Sequence, residues 1–324
     1  MSPAHDKIKI IPIEQPFLRV LAEYVSGTFA DRAPDFSDVL IVFPSQRNKF
    51  YFRRYLLEAA HRPGIIPPAM KTIDELIVYS FERTGGSRGR MLDPMERNFL
   101  LKNVIDSLKI EMWRDLPFLR FISIGDRLLN FFDELARERV SIEDLLETSA
   151  LGHYPEKYTQ DELPILKRIY DEYRKLVATT GAIDNVDVND SAYDRFSADI
   201  LGGFHYTVIG GLAGLTAVEL KIVKTILSDS PSELILHSCP PDDLMRSRGV
   251  HDPFHVHQKL LTALGTDTKA ISTLGGQNSV RPVIHVRALK TESQQTFHIQ
   301  TVLQEVVKRY GDLHRIGIVL ADET

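Results

Sequence analysis

The sequence predicts an α/β protein: a parallel, doubly wound sheet interrupted by a large all-helical insertion. Strand-like apolar runs recur at Ile8 to Ile13, Val39 to Phe43, Tyr206 to Ile209, Glu233 to His237, Val283 to Ala288 and Ile316 to Leu320. Helical periodicity fills the gaps, as at Pro16 to Phe29 and Thr296 to Arg309, and such alternation builds a parallel sheet covered by helices. From about Ile73 to Leu201 the strand signal stops, and Asp93 to Leu108, Leu116 to Arg139 and Gln160 to Thr179 read as helix. The expected domains are an α/β core over 1–72 plus 202–324 and a helical insertion over 73–201.

Taken in order, the first strand runs into EQPFLRVLAEYV, where Glu14 and Pro16 start a helix. A phosphate-binding loop would need GxxxxGK[ST], which occurs nowhere, so the chain has neither the lysine nor the backbone cradle for β/γ-phosphates. The second strand is followed by SQRNKFYFRRYLLE, which places Arg47, Lys49, Arg53 and Arg54 near one helix N-terminus with Tyr51 among them. Cations neutralise phosphates and an aromatic ring stacks on an unpaired base, so this helix is the candidate DNA contact. A solvated helix face, with Phe50, Phe52, Tyr55 and Leu56 packing on the sheet, is the competing explanation. Arg83 to Arg90 (RTGGSRGR) reads as a flexible linker, since its glycines follow no strand and precede no Lys-Ser/Thr.

Phe204 to Leu227 (FHYTVIGGLAGLTAVELKIVKTIL) reads as a buried strand, a turn through Gly210, Gly211 and Gly214, and a helix beginning near Thr216. This layout resembles the Mg²⁺-binding motif of superfamily 1 DNA helicases of the UvrD and RecB type. Gly210 and Gly211 stand where those enzymes carry Asp-Glu, which would hold the metal and orient the attacking water. The segments IKIIPIEQPFLRVLAEYV, DVLIVFPSQRNKFYFRRYLLE, IDEL (73–76), FFDELARERV (131–140) and RIGIVL (315–320) come in the order seen in the AddB family, which the chain resembles along nearly its whole length.

The resemblance implies a Rossmann-like sheet of the P-loop NTPase/helicase type, degenerate in its nucleotide site, with an insertion like sub-domain 1B of that family. It implies a non-hydrolysing scaffold in double-strand-break repair and recombination, contacting single-stranded DNA and duplex ends and an AddA-like helicase/nuclease subunit. It also implies that the iron-sulfur cluster and Mg²⁺ belong to a C-terminal nuclease domain outside this chain, leaving no cofactor here. The chain stops just after the run Ile316 to Leu320, as expected of a fragment of something longer. The alternative class is an α/β enzyme or binding protein that holds a phosphorylated small molecule through Gly211, Gly214 and Thr216, using backbone N–H groups and a helix dipole. A tight strand-to-helix turn capped by Thr216 needs no ligand.

Composition narrows the classes further. The 324 residues, 43% apolar, suffice for about two domains with sizeable cores. A net charge of −5 excludes a surface basic all over, so any nucleic-acid contact is local. No apolar run approaches the length of a membrane span, and the expected location is the cytoplasm. Cys239 is the only cysteine, which excludes an internal disulfide or a cysteine-ligated cluster within the chain. His251, His255 and His257 lie near His237 and Cys239 in sequence, but Pro253 interrupts them and no HExxH accompanies them, so no metal site is expected. Glu219-Leu220-Lys221 matches half of a PD-(D/E)XK nuclease signature, but within a predicted helix, where a nuclease needs it on a strand.

Overall fold

Short apolar runs rich in β-branched residues become the strands. The computed structural model describes residues 7–85, 89–150, 162–244, 254–266, 271–275, 286–313 and 316–318. In it β1 (Ile8–Pro12), β2 (Val39–Phe43), β3 (Ala69–Thr72), β4 (Tyr206–Gly210), β5 (Ser232–Ser238) and β6 (Ser272–Thr273) form one all-parallel sheet in the order β3-β2-β4-β5-β1-β6. Side-chain alternation divides the central strands between two cores. Ile8, Ile10, Leu40, Val42, Leu234 and Leu236 enter one, whereas Ile11, Val39, Ile41, Phe43 and Ile235 enter the other. Every β2 residue is buried, which is why VLIVF is apolar throughout rather than on alternate positions.

Helices α1 (Phe17–Thr28) and α2 (Gln46–Ala59) cover the second of these faces. The opposite face is covered by α3 (Ile73–Arg83), α8 (Asn185–Arg195), α9 (Ala217–Asp229) and α11 (His255–Leu264), with the short α10 (Pro241–Leu244) beside them. Capping boxes fix several starts: Thr72 with Glu75 at α3, Asp184 with Asp187 at α8, and Thr216 with Glu219 at α9. Beneath α1, Glu233 is almost fully buried but ion-paired with Lys9 and bonded by the Tyr24 hydroxyl at 2.8 Å, which offsets its desolvation.

The remaining helices between β3 and β4 are α4 (Pro94–Ser107), α5 (Phe118–Glu138), α6 (Ile142–Ala150) and α7 (Glu162–Thr180). A core of their own, built around Leu101, Ile105, Phe121, Phe132, Ile169 and Tyr173, joins α4, α5 and α7. Each fully buried phenylalanine there contributes about 1.5–3 kcal/mol. At its edge, buried Arg97 forks onto Asp133 with bonds of 2.6 and 3.0 Å, while Asn185 donates to Asp133 at 2.9 Å. Arg97 Nε lies 2.5 Å from Asp184 Oδ1 but off the N–H axis, so that contact is Coulombic. These charges tie α4 and α5 to α8, which packs on the sheet. Although they fall inside 73–201, α3 and α8 thus share the core of the sheet.

Two expected strands differ from the sequence reading. Residues 286–288 and 316–318 form no strand, and the rest of Val283 to Ala288 and Ile316 to Leu320 lies outside the described residues. An apolar run becomes a strand only beside a partner, and residues 280–324 group as a unit apart from 1–279. Within that smaller unit, α12 (Glu292–Tyr310), capped by Thr291 and closed by Gly311, is the regular element among the described residues. Conversely, β3 and β6 carry little strand signal, being four and two residues long.

Candidate functional site

After β1 and β2 the chain passes to one face of the sheet, and after β3, β4 and β5 to the other. Because β1 lies beside β5 and β2 beside β4, the chain diverges there, and in open α/β sheets the carboxyl ends of strands at such a divergence are the usual place for a ligand crevice. Gly210 ends β4 at this edge and Gly211 follows with φ +77°. The ring of Phe17, nearly buried, lies over them. A Cβ on Gly210 would meet Leu21 Cδ2 at 3.1 Å and Phe17 Cζ at 3.6 Å, and one on Gly211 would meet Phe17 Cε1 at 3.0 Å. Phe17 also packs on His237 at 5.1 Å between ring centroids. The space beside Gly210 and Gly211 is therefore filled by side chains of α1, Phe17 and Leu21.

The turn of the alternative reading is likewise engaged. Gly211 N–H donates to Ile235 O at 2.9 Å. At the start of α9, Thr216 N–H donates to Glu219 Oε2 at 2.8 Å, Glu219 N–H to Thr216 Oγ1 at 3.4 Å, and Ala217 N–H to Glu138 Oε2 at 3.3 Å. Two carboxylates of the protein itself thus accept from the N–H groups of Thr216 and Ala217, so a negative group there would meet Glu138 and Glu219, while Gly214 stands in open space.

No protein-family model matches the chain, and no curated protein sequence matches it. What it can do therefore rests on its own residues.

The cations and aromatic residues that the sequence marks as a candidate contact lie on α2. Phe52 and Leu56, four residues apart, are fully buried and define the inner face. Arg47, Phe50, Tyr51 and Arg54 then follow at spacings of three, four and seven along the outer face, with Arg53 and Leu57 flanking. Phe50 is 71% exposed and Tyr51 42%, and their rings meet edge to face at 5.4 Å. Together they offer a small aromatic surface to solvent. Arg47 and Arg53 have no ion pair among the described residues. Arg54 Nε pairs with Glu58 at 3.1 Å.

Two sequence expectations on this helix are corrected. Phe50 does not pack on the sheet, because it lies two residues, or about 200°, from buried Phe52. Lys49 is not presented to solvent. Its Nζ sits between Glu75 Oε2 at 2.7 Å and Oε1 at 3.0 Å, and its side chain is only 15% exposed. Glu75 also accepts from Gln46 Nε2 at 2.6 Å and from Thr72 N–H at 2.8 Å. Partial burial pushes its carboxyl up, but the bonds from Lys49, Gln46 and Thr72 outweigh this and hold it down at about 2.

The histidines do not assemble into a ligand set. Buried His257 Nδ1 meets Ser238 Oγ at 3.0 Å, His237 lies against Phe17, and His251 is outside the described residues. Among the described residues no group of three or more His, Cys, Asp or Glu is placed to hold a metal, and no helix is long and apolar enough to cross a membrane. Cys239 is buried. Glu219 and Lys221 lie in α9, with Glu219 committed to its cap. A groove of about 490 Å³ lies on the helical segment, lined by Met95, Phe99, Leu100 and Phe118 with Arg90 and Glu96 at its rim. Those two charges form a closed pair through bonds of 2.6 Å, so the groove is apolar and presents no reactive group.

Proposed function

We propose that this chain is a non-hydrolysing, DNA-binding scaffold of the AddB type: a degenerate helicase domain of the P-loop class with its helical insertion between β3 and β4. Catalysis then belongs to partners, with an AddA-like subunit as the motor and a nuclease domain carrying the metal chemistry. The observation that carries this reading is the outer face of α2, where Arg47, Arg53 and Arg54 surround the exposed pair Phe50 and Tyr51. Arginines supply sequence-independent contacts to phosphates, and paired aromatic rings supply stacking surface for unpaired bases. The close packing of Phe17 and Leu21 on Gly210 and Gly211 supports the absence of hydrolysis, since even a β-carbon there is crowded and no carboxylate stands in their place. The overall charge of −5 agrees with binding confined to one face.

The test is fluorescence anisotropy with a labelled oligodeoxythymidylate across a salt series. The R47E/R53E variant should bind more weakly and flatten the slope of log K against log salt by about 0.7 for each phosphate no longer neutralised. Equal affinity and slope in parent and variant would remove α2 as the DNA-binding face.

A further inference from the structure

The sequence places four cations on α2, but one of them is withdrawn. Lys49 lies on the side facing α3, where both oxygens of Glu75 hold its ammonium group. Glu75 is the third residue of α3 and closes its capping box with Thr72, so its carboxylate is fixed by the backbone before it meets Lys49. Gln46 completes the clasp from the first turn of α2. One carboxylate therefore joins two helices that follow neighbouring strands, β2 and β3, and removes one positive charge from the outer face.

We propose that Glu75 withholds Lys49 from nucleic acid and so limits the number of phosphates that α2 engages. This rests on the reading of α2 as the DNA-binding face. Glu75 is then a positioning residue: it orients α2 against α3 and sets the strength of binding without touching the ligand. Because its carboxyl stays charged down to about pH 2, the clasp does not loosen anywhere in the physiological range. What can open it is competition, when a phosphate reaches the ammonium group, or removal of the carboxylate charge by substitution.

The E75Q variant separates the two roles of this residue. Glutamine at the third position also closes a capping box, so α3 keeps its cap while Lys49 is left without its counter-charge. With the labelled oligodeoxythymidylate, E75Q should bind more tightly than the parent, and its salt slope should steepen by about 0.7, roughly fivefold in affinity at 0.1 M salt. The double variant K49Q/E75Q, in which the neutral pair is replaced by two neutral side chains, should return to parental slope and affinity. An unchanged slope in E75Q, or a slope that stays steepened in K49Q/E75Q, would overturn the proposal. Labelling with acetic anhydride, read by mass spectrometry without DNA, checks the clasp directly: Lys49 should react several-fold faster in E75Q. Equal reactivity overturns the clasp even if DNA binding is intact. A parent chain without salt-dependent binding instead removes the reading of α2.

Discussion

A β-carbon added to Gly211 would lie 3.0 Å from Phe17 Cε1, on a backbone already at φ +77°. Restoring a carboxylate pair with G210D/G211E should therefore destabilise the protein and yield no hydrolysis. A non-glycine residue at positive φ costs about 1–3 kcal/mol, and an unpaired buried charge costs several more, in practice by shifting its pKa. Chemical denaturation should show a lower midpoint that Mg²⁺ and ATP do not raise. A double variant as stable as its parent, or one stabilised by Mg²⁺ and ATP, would mean that a nucleotide pocket survives beside Phe17. The parent should likewise release no phosphate from ATP, with or without DNA.

Stacking and charge on α2 should separate experimentally. F50A and Y51A are expected to weaken binding to an oligodeoxythymidylate by about 1–3 kcal/mol per stacked base while leaving the salt slope intact. Phe50 is mostly exposed, so F50A should change folding stability by less than about 0.5 kcal/mol. If F50A instead unfolds the protein, or flattens the salt slope as an arginine substitution does, the stacking role is wrong.

What was legible in the sequence follows from how local each signal is. β1, β2, β4 and β5 were readable because short stretches rich in Ile, Val and Leu stand between turn residues, and Thr216 was readable as a cap because a threonine follows the glycine turn just before a helical pattern. β3 was not, since AMKT follows two prolines and runs straight into the stronger helical signal IDEL. The site relationships depend on residues distant in sequence. Phe17 covers a turn almost two hundred residues away, and Lys49 meets a carboxylate in another helix. No spacing rule encodes either. Phe50 was accessible in principle, because taking Phe52 and Leu56 as the buried pair places it outside.

The buried fork of Arg97 should be among the most sensitive positions in the fold. Burial disfavours its charge, but Asp133 and Asp184 outweigh this and raise its pKa. R97M would leave two buried carboxylates without their cation, at a cost of about 3–5 kcal/mol. Urea midpoints of parent and variant test this, and a variant as stable as its parent would show that the aspartates find other partners.

Acid should also act through His257. Burial, then the nearby His237, lowers its pKa from the ordinary 6.5. A folded pKa below the unfolded one means that the unfolded chain binds more protons between the two. The stabilising contribution of neutral His257 is present above pH 6.5 and is lost as pH falls from there through its lowered value. H257F should remove this part of the pH dependence, although without the hydrogen bond to Ser238 its stability is lower overall. An identical pH profile in H257F would assign the acid sensitivity to other groups.

Glu138, which caps α9 at the glycine turn, is the last residue of α5, while Phe118 at the other end of the same helix lines the apolar groove. Twenty-one residues make a rod about 30 Å long. The groove and the turn after β4 thus lie at the two ends of a single helix, held in line along its length by the buried residues Phe121, Leu128 and Phe132.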